Sequence, residues 1–258
     1  MQRKRPTEMR RPLIAGNWKM HKTIADSLAF VGAFLATGDA DGDYVDVVIA
    51  PPFTALYALA MAVEGSAIAL AAQTMHWAPQ GAFTGEISPV MLRDVGVSYV
   101  ILGHSERRAN YGEMDEDVNL KVKSALSHGL TPIVAVGETA AEHFAGITHE
   151  RVMEQTRAAF DDIPVADIAQ CIVAYEPIWA IGTGNADSPA SANAVMGTIR
   201  ACVEGLADAR ILYGGSVKPE NIAALMAQPN IDGGLVGGAS LQVESFAPLV
   251  RHARRVLA

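Results

Sequence analysis

Eight short apolar runs recur along the 258 residues, beginning near Leu13, Val45, Ala67, Ser98, Thr131, Ala169, Ala209 and Ile231. Most show no polar alternation, so they read as strands buried on both faces, as in a parallel sheet. Helical patterns lie between them. Ile24, Leu28, Val31 and Leu35 mark one apolar stripe, introduced by Thr23 and Asp26 at capping-box spacing. Ser188 before Pro189 opens another helix, and further helical stretches fit 115–128, 150–160, 219–227 and 245–256. A repeat of about 30 residues is the size of one strand, one helix and two turns. Eight such units in about 250 residues are what a closed (β/α)8 barrel requires, an α/β fold in a single domain. An open doubly wound sheet is the competing architecture, but no G-x-G-x-x-G follows the first run.

Composition narrows the function classes. At 50% hydrophobic and 19% charged residues, the chain has enough apolar content for a large core. The longest uncharged apolar-rich stretch is the 17 residues 47–63, interrupted by Pro51 and Pro52, too short and broken for a membrane span. Arg3, Lys4, Arg5, Arg10 and Arg11 concentrate positive charge at the N-terminus, while the net charge is −8. The body at 11–258 is therefore acidic, which argues against nucleic acid as a partner, and no membrane partner is expected. The basic segment 1–10 lacks an apolar stretch behind it and is expected to be a frayed, disordered tail. Cys171 and Cys202 have no C-x-x-C spacing and are expected to be structural thiols of a cytoplasmic protein.

In a closed barrel of this kind the site lies at the carboxyl ends of the strands, which filters the polar residues. Asn17 and Lys19 follow the first run two residues apart, on one side of the strand end. A lysine there, standing alone, is as readily a solvated surface group. His104 ends the fourth run, ahead of residues able to start a short helix. An imidazole accepting a backbone N–H at a helix start is disfavoured as a cation and serves as a neutral donor, although locally bonded histidines are also common in structural settings. Glu176 ends the sixth run before a proline and an apolar, glycine-containing loop. Burial there would raise its carboxyl toward a general base, unless it is simply paired with an arginine. Gly214-Gly215 and Gly237-Gly238 follow the seventh and eighth runs, where barrels of this architecture hold phosphate; taken singly, each pair is an ordinary turn. His143 and His149 are too isolated for a metal site, and no Walker A loop is present. The chemistry is expected to fall to side chains, with no cofactor.

Together the segments AGNWKM (15–20), GAFTGE (81–86), GHSERR (103–108), YEPIWAIGTG (175–184), YGGSV (213–217) and VGGAS (236–240) resemble the triosephosphate isomerase family. The resemblance runs from about Arg11 to the last helix. It implies interconversion of dihydroxyacetone phosphate and D-glyceraldehyde 3-phosphate in glycolysis and gluconeogenesis. Glu176 would be the base, His104 a donor to the enediolate oxygens, and Lys19 and Asn17 the electrostatic partners, with Glu106 orienting Lys19. Gly182, Ser216, Gly237 and Gly238 would hold the phosphate through backbone N–H groups. Ile178, Trp179, Ala180, Ile181, Gly182, Thr183 and Gly184 would form a lid. Thr84, in the long loop 74–88, would reach into the neighbouring subunit of a homodimer.

Three positions depart from the family's usual pattern. Thr74 stands where asparagine is usual, which bears on an interface contact, and Ala135 stands where cysteine is usual. Gly234 stands where phenylalanine is usual, and looser packing is expected there. Other functions compatible with the residues are an isomerase for a four-carbon phosphosugar, a Schiff-base lyase using Lys19, and a phosphosugar-binding protein.

Overall fold

The computed structural model describes residues 10–41, 44–181 and 187–253. Of the basic segment 1–10, only Arg10 is among them. The strands are β1 (Leu13–Asn17), β2 (Asp46–Ala50), β3 (Ile68–Ala72), β4 (Tyr99–Leu102), β5 (Thr131–Val136), β6 (Ile172–Tyr175), β7 (Arg210–Tyr213) and β8 (Gly233–Val236). They pair in parallel in chain order, and β8 returns to β1 with Leu13 opposite Gly233, so the ring closes. This is the (β/α)8 barrel expected from the eight runs, in one domain.

The helices form where capping and periodicity place them. Thr23 and Asp26 exchange the two capping-box bonds ahead of helix Ile24–Leu35, at 3.0 and 3.2 Å. The Ser188 hydroxyl accepts the Ser191 N–H at 3.1 Å before helix Pro189–Cys202. Two expectations need correction. The sixth strand begins at Ile172, three residues after Ala169, because a short helix, Val165–Ile168, ends at Ala169 and the turn that closes it takes up the residues before Ile172. The helix expected over 219–227 covers only Ile222–Met226. Asn221 accepts the Lys218 N–H and donates to the Ser216 carbonyl, both at 2.9 Å, which holds the preceding residues in a turn.

Inside the ring, Leu13, Ala15, Val48, Ala50, Ala71, Ile101, Ile133, Ile172, Ala174, Leu212 and Leu235 form one packed cluster. The alternate residues, among them Ile14, Val47, Ile49, Val100, Val134, Val173 and Ile211, pack outward under the helices. Both faces of each strand are thus apolar, which is why the runs lack alternation. The amino-terminal end is tied by charge. Asp232, wholly buried, accepts Arg10 Nε at 2.9 Å, Arg200 Nη2 at 2.6 Å and the Ile211 N–H at 3.0 Å.

Gly234 leaves less room than its departure suggests. A Cβ there would stand 3.4 Å from Val236 Cγ2 and 3.6 Å from Val217 Cγ2, ordinary contact distances, and the backbone is not left-handed. Gly234→Ala should therefore stabilise the fold by about 0.4–1 kcal/mol through the unfolded chain, seen as a higher melting temperature. A lower one would mean that Val236 and Val217 cannot accommodate the methyl.

Candidate active site

The interior alternation delivers the first site residues. Leu13 and Ala15 point inward, so Asn17 does as well; Ile172 and Ala174 point inward, so Glu176 stands above them on the same face. Asn17 and Glu176 are both nearly inaccessible, at 5% and 2% exposure. Asn17 Oδ1 accepts the Lys19 N–H at 3.0 Å, and Lys19 takes a left-handed backbone (φ 52°). Gln73 Nε2 donates to the Lys19 carbonyl at 2.8 Å and fixes that turn from β3. The Lys19 ammonium is 2.6 Å from Glu106 Oε1.

His104 caps helix Ser105–Tyr111, and the Glu106 N–H donates to its Nδ1 at 3.2 Å. The proton therefore sits on Nε2, which donates to Glu176 Oε1 at 2.9 Å. Glu176 Oε2 accepts the Ser105 N–H, also at 2.9 Å. Behind β4, the Gly103 N–H donates to Glu113, which forms a buried pair with Lys121. The Lys121 ammonium reaches the Thr74 hydroxyl at 3.5 Å, so Thr74 belongs to an interior polar group.

The charges of this pair do not follow the sequence-based expectation for histidine. Burial pushes the His104 ring down, but the Glu176 carboxylate and then Glu106 draw it up more strongly, and its pKa lies above the ordinary value. For Glu176, burial pushes up while His104 and then Ser105 pull down, and the carboxyl lies below its ordinary value. The Glu106 N–H on Nδ1 opposes the cation, as the sequence suggested, but it is outweighed while Glu176 faces the ring. In Glu176→Gln the largest upward influence is gone, and the pKa of His104 should fall, as read from NMR of the labelled imidazole across pH. An unchanged value would mean that Glu176 does not set the charge of the ring.

Asn17, Lys19, His104, Glu176, Ile181, Ser216, Gly237 and Gly238 line a single cavity of about 300 Å³ at the carboxyl end of the barrel. Glu106 stands behind Lys19. Ile178, Trp179 and Ala180 form a 3-10 turn directly after Glu176 and Pro177. Gly182, Thr183 and Gly184 lie outside the described residues. Thr84 is exposed on its loop and does not line the cavity. Val217, Lys218, Leu235 and Ala239 also line it and were not singled out in the sequence. Lys218 had a legible signal, a cation two residues beyond Ser216 in the same strand-end loop. Among the described residues, no three His, Cys, Asp or Glu side chains converge as metal ligands would.

A family model for triosephosphate isomerase matches residues 12–253. The chain is 51% identical to a triosephosphate isomerase of Trichlorobacter lovleyi over 249 residues, 94% of this chain and 99% of the relative. It is also 52% identical to one of a Roseiflexus species, covering 94% and 97%, and 51% identical to one of Chloroflexus aurantiacus, covering 95% and 100%. With a closed eightfold barrel, a match across nearly its whole length and half its residues identical to these relatives, the chain belongs to the triosephosphate isomerase family.

Proposed function

We propose that this protein interconverts dihydroxyacetone phosphate and D-glyceraldehyde 3-phosphate, the isomerisation of glycolysis and gluconeogenesis, with Glu176 as the proton carrier. The observation that carries this reading is the Glu176–His104 contact of 2.9 Å across a cavity that also holds Lys19 and two glycine-rich strand ends. Substrate entering between the two side chains takes over their mutual hydrogen bond. Glu176 removes a proton from the hydroxyl-bearing carbon beside the carbonyl and returns it to the former carbonyl carbon, while the hydroxyl proton passes from the first oxygen to the second, so that carbonyl and hydroxyl exchange places. His104 Nε2–H donates to the oxygens on which charge develops. Lys19 and Asn17 supply a fixed positive field and a donor there, the preorganised electrostatics that usually contribute most to catalysis. Glu106 acts through Lys19, holding its ammonium in place. Backbone N–H groups of Ser216, Gly237 and Gly238, with Gly182, bind the phosphate, and no cofactor takes part.

The loop from Ile178 to Gly184 covers the intermediate. Shortening it by residues 181–183 should leave the barrel folded and raise the ratio of free phosphate and methylglyoxal to isomerised product. An unchanged ratio in a folded variant would remove this role.

A homodimer is supported by the surface of loop 74–88. Residues 79–86 are exposed, Phe83 is 46% exposed at the tip beside Thr84, and Met20 is 94% exposed beside Lys19. Thr84 reaches the partner's site in this reading. A cytoplasmic setting accords with the free thiols of Cys171 and Cys202, and no described helix is long and apolar enough to cross a membrane.

A coupled assay with glyceraldehyde 3-phosphate against four-carbon analogues tests the substrate. One additional carbon should cost about 10- to 200-fold in kcat/KM. Equal or better use of the longer sugar would reassign the substrate. The lyase reading is disfavoured because the Lys19 ammonium is engaged by Glu106 at 2.6 Å. Borohydride with substrate should accordingly leave no adduct.

A further inference from the structure

Glu138, at the end of β5, is wholly buried and gathers the start of the loop after β6 onto itself. Its Oε1 accepts Trp179 Nε1 at 2.7 Å and Tyr175 OH at 3.1 Å, while Oε2 has no hydrogen-bond partner among the described residues. His143, on the short helix Ala140–Phe144, lies flat on Trp179 with ring centroids 4.3 Å apart and 28° between planes. Its Nδ1 is 3.5 Å from Glu138 Oε1, and its side chain is 37% exposed. Asp187, which follows the loop, has its carboxyl pushed above the ordinary value by burial, against the pull of hydrogen bonds from Ser191 and Ser188 and, last, of the His143 charge. One ring thus stands among the residue that anchors Trp179, Trp179 itself and the first described residue past the loop.

We infer that His143 is a positioning residue for the turn Ile178–Ala180, and that it holds this turn more firmly when its imidazole is protonated. The inference rests on the reading of Glu176 as base and of the loop after it as a cover. As a neutral ring, His143 contributes stacking alone. As a cation its Nδ1 is attracted to Glu138 Oε1 3.5 Å away, its ring is drawn to the face of the indole, and it is attracted by Asp187, three influences of one sign. Glu142 on its own helix and Arg151 of helix Thr148–Ala159 also carry charge. These two pair with each other at 3.3 Å, and Glu142 also accepts the Thr139 N–H at 2.7 Å. The Trp179 indole N–H is committed to Glu138, so tightening at His143 passes directly to the backbone that leads out of Glu176.

Two measurements test this. In protein with labelled tryptophan, the Trp179 indole N–H resonance, assigned by its loss in Trp179→Phe, should shift as pH falls from about 8 to about 5, the range in which histidine changes charge. It should stay fixed in His143→Gln and in His143→Phe, the second of which keeps the stack without the charge. A shift retained in both variants, or absent from the parent, overturns the inference. In turnover, the ratio of parent to His143→Phe kcat should fall by about 2- to 5-fold over the same range, the size of a partly exposed cation–π contact, because a more firmly held turn opens more slowly. A ratio independent of pH also overturns it. A parent without isomerase activity would instead strike the functional reading, since the indole titration does not depend on turnover.

Discussion

Glu176→Asp should lower kcat by about 100-fold while KM stays within a few-fold of the parent. Removing one methylene withdraws the carboxylate by about 1 Å, and a misplacement of that size at a reacting centre costs on the order of 100-fold. The backbone cannot advance to compensate. The Glu176 N–H is bonded to the Val136 carbonyl at 2.8 Å, and Ala174 beneath it is locked in the barrel interior. Phosphate binding is assigned to backbone N–H groups of Ser216, Gly237 and Gly238 and not to this carboxylate, which is why KM is spared. Turnover equal to the parent's would mean that another group carries the proton.

A change that touches no proposed catalytic side chain should do comparable damage. In Gly137→Ala the new methyl would lie 1.8 Å from the Glu176 carbonyl oxygen, a backbone atom, so the chain itself must move. Relief through β5 is blocked because the Gly137 N–H donates to buried Gln155 Oε1 at 2.7 Å. The ends of β5 and β6 must therefore part and carry Glu176 with them. The expected result is a drop in kcat on the order of 100-fold, with a stability loss of about 1–3 kcal/mol typical of overpacking. Steady-state kinetics and thermal melting check both. Parent-like values would mean that these strand ends slide past one another freely.

Position 137 also illustrates which parts of the molecule are legible in the chain. The barrel is readable because strands buried on both faces leave unbroken apolar runs, and the caps at Thr23 and Ser188 obey local chemistry. Asn17, Lys19, His104 and Glu176 are readable because the architecture confines a site to strand ends. Helix Phe53–Ala62 escapes because it lies within an uncharged run and exposes apolar Tyr57 and Met61, so its polar face carries no signal. The distance between Gly137 and Glu176 is set by strand register, and the contact of His143 with Trp179 joins separate elements. Neither leaves a trace in local spacing. The direction of the His104 shift was hidden for the same reason: the backbone N–H at the helix start is local, whereas the carboxylate that prevails is 72 residues away.

The bond between Arg10 and Asp232 spans 222 residues, and β1 needs β8 on its second edge. On a ribosome adding about 5–20 residues per second, the first strand waits roughly 10–45 seconds for that partner to be made. Throughout that interval the chain exposes an apolar strand with one unpaired side, the kind of edge that recruits other chains. The nascent protein is therefore most vulnerable to aggregation until roughly its last tenth emerges, and a chain stalled short of Asp232 would keep that edge open.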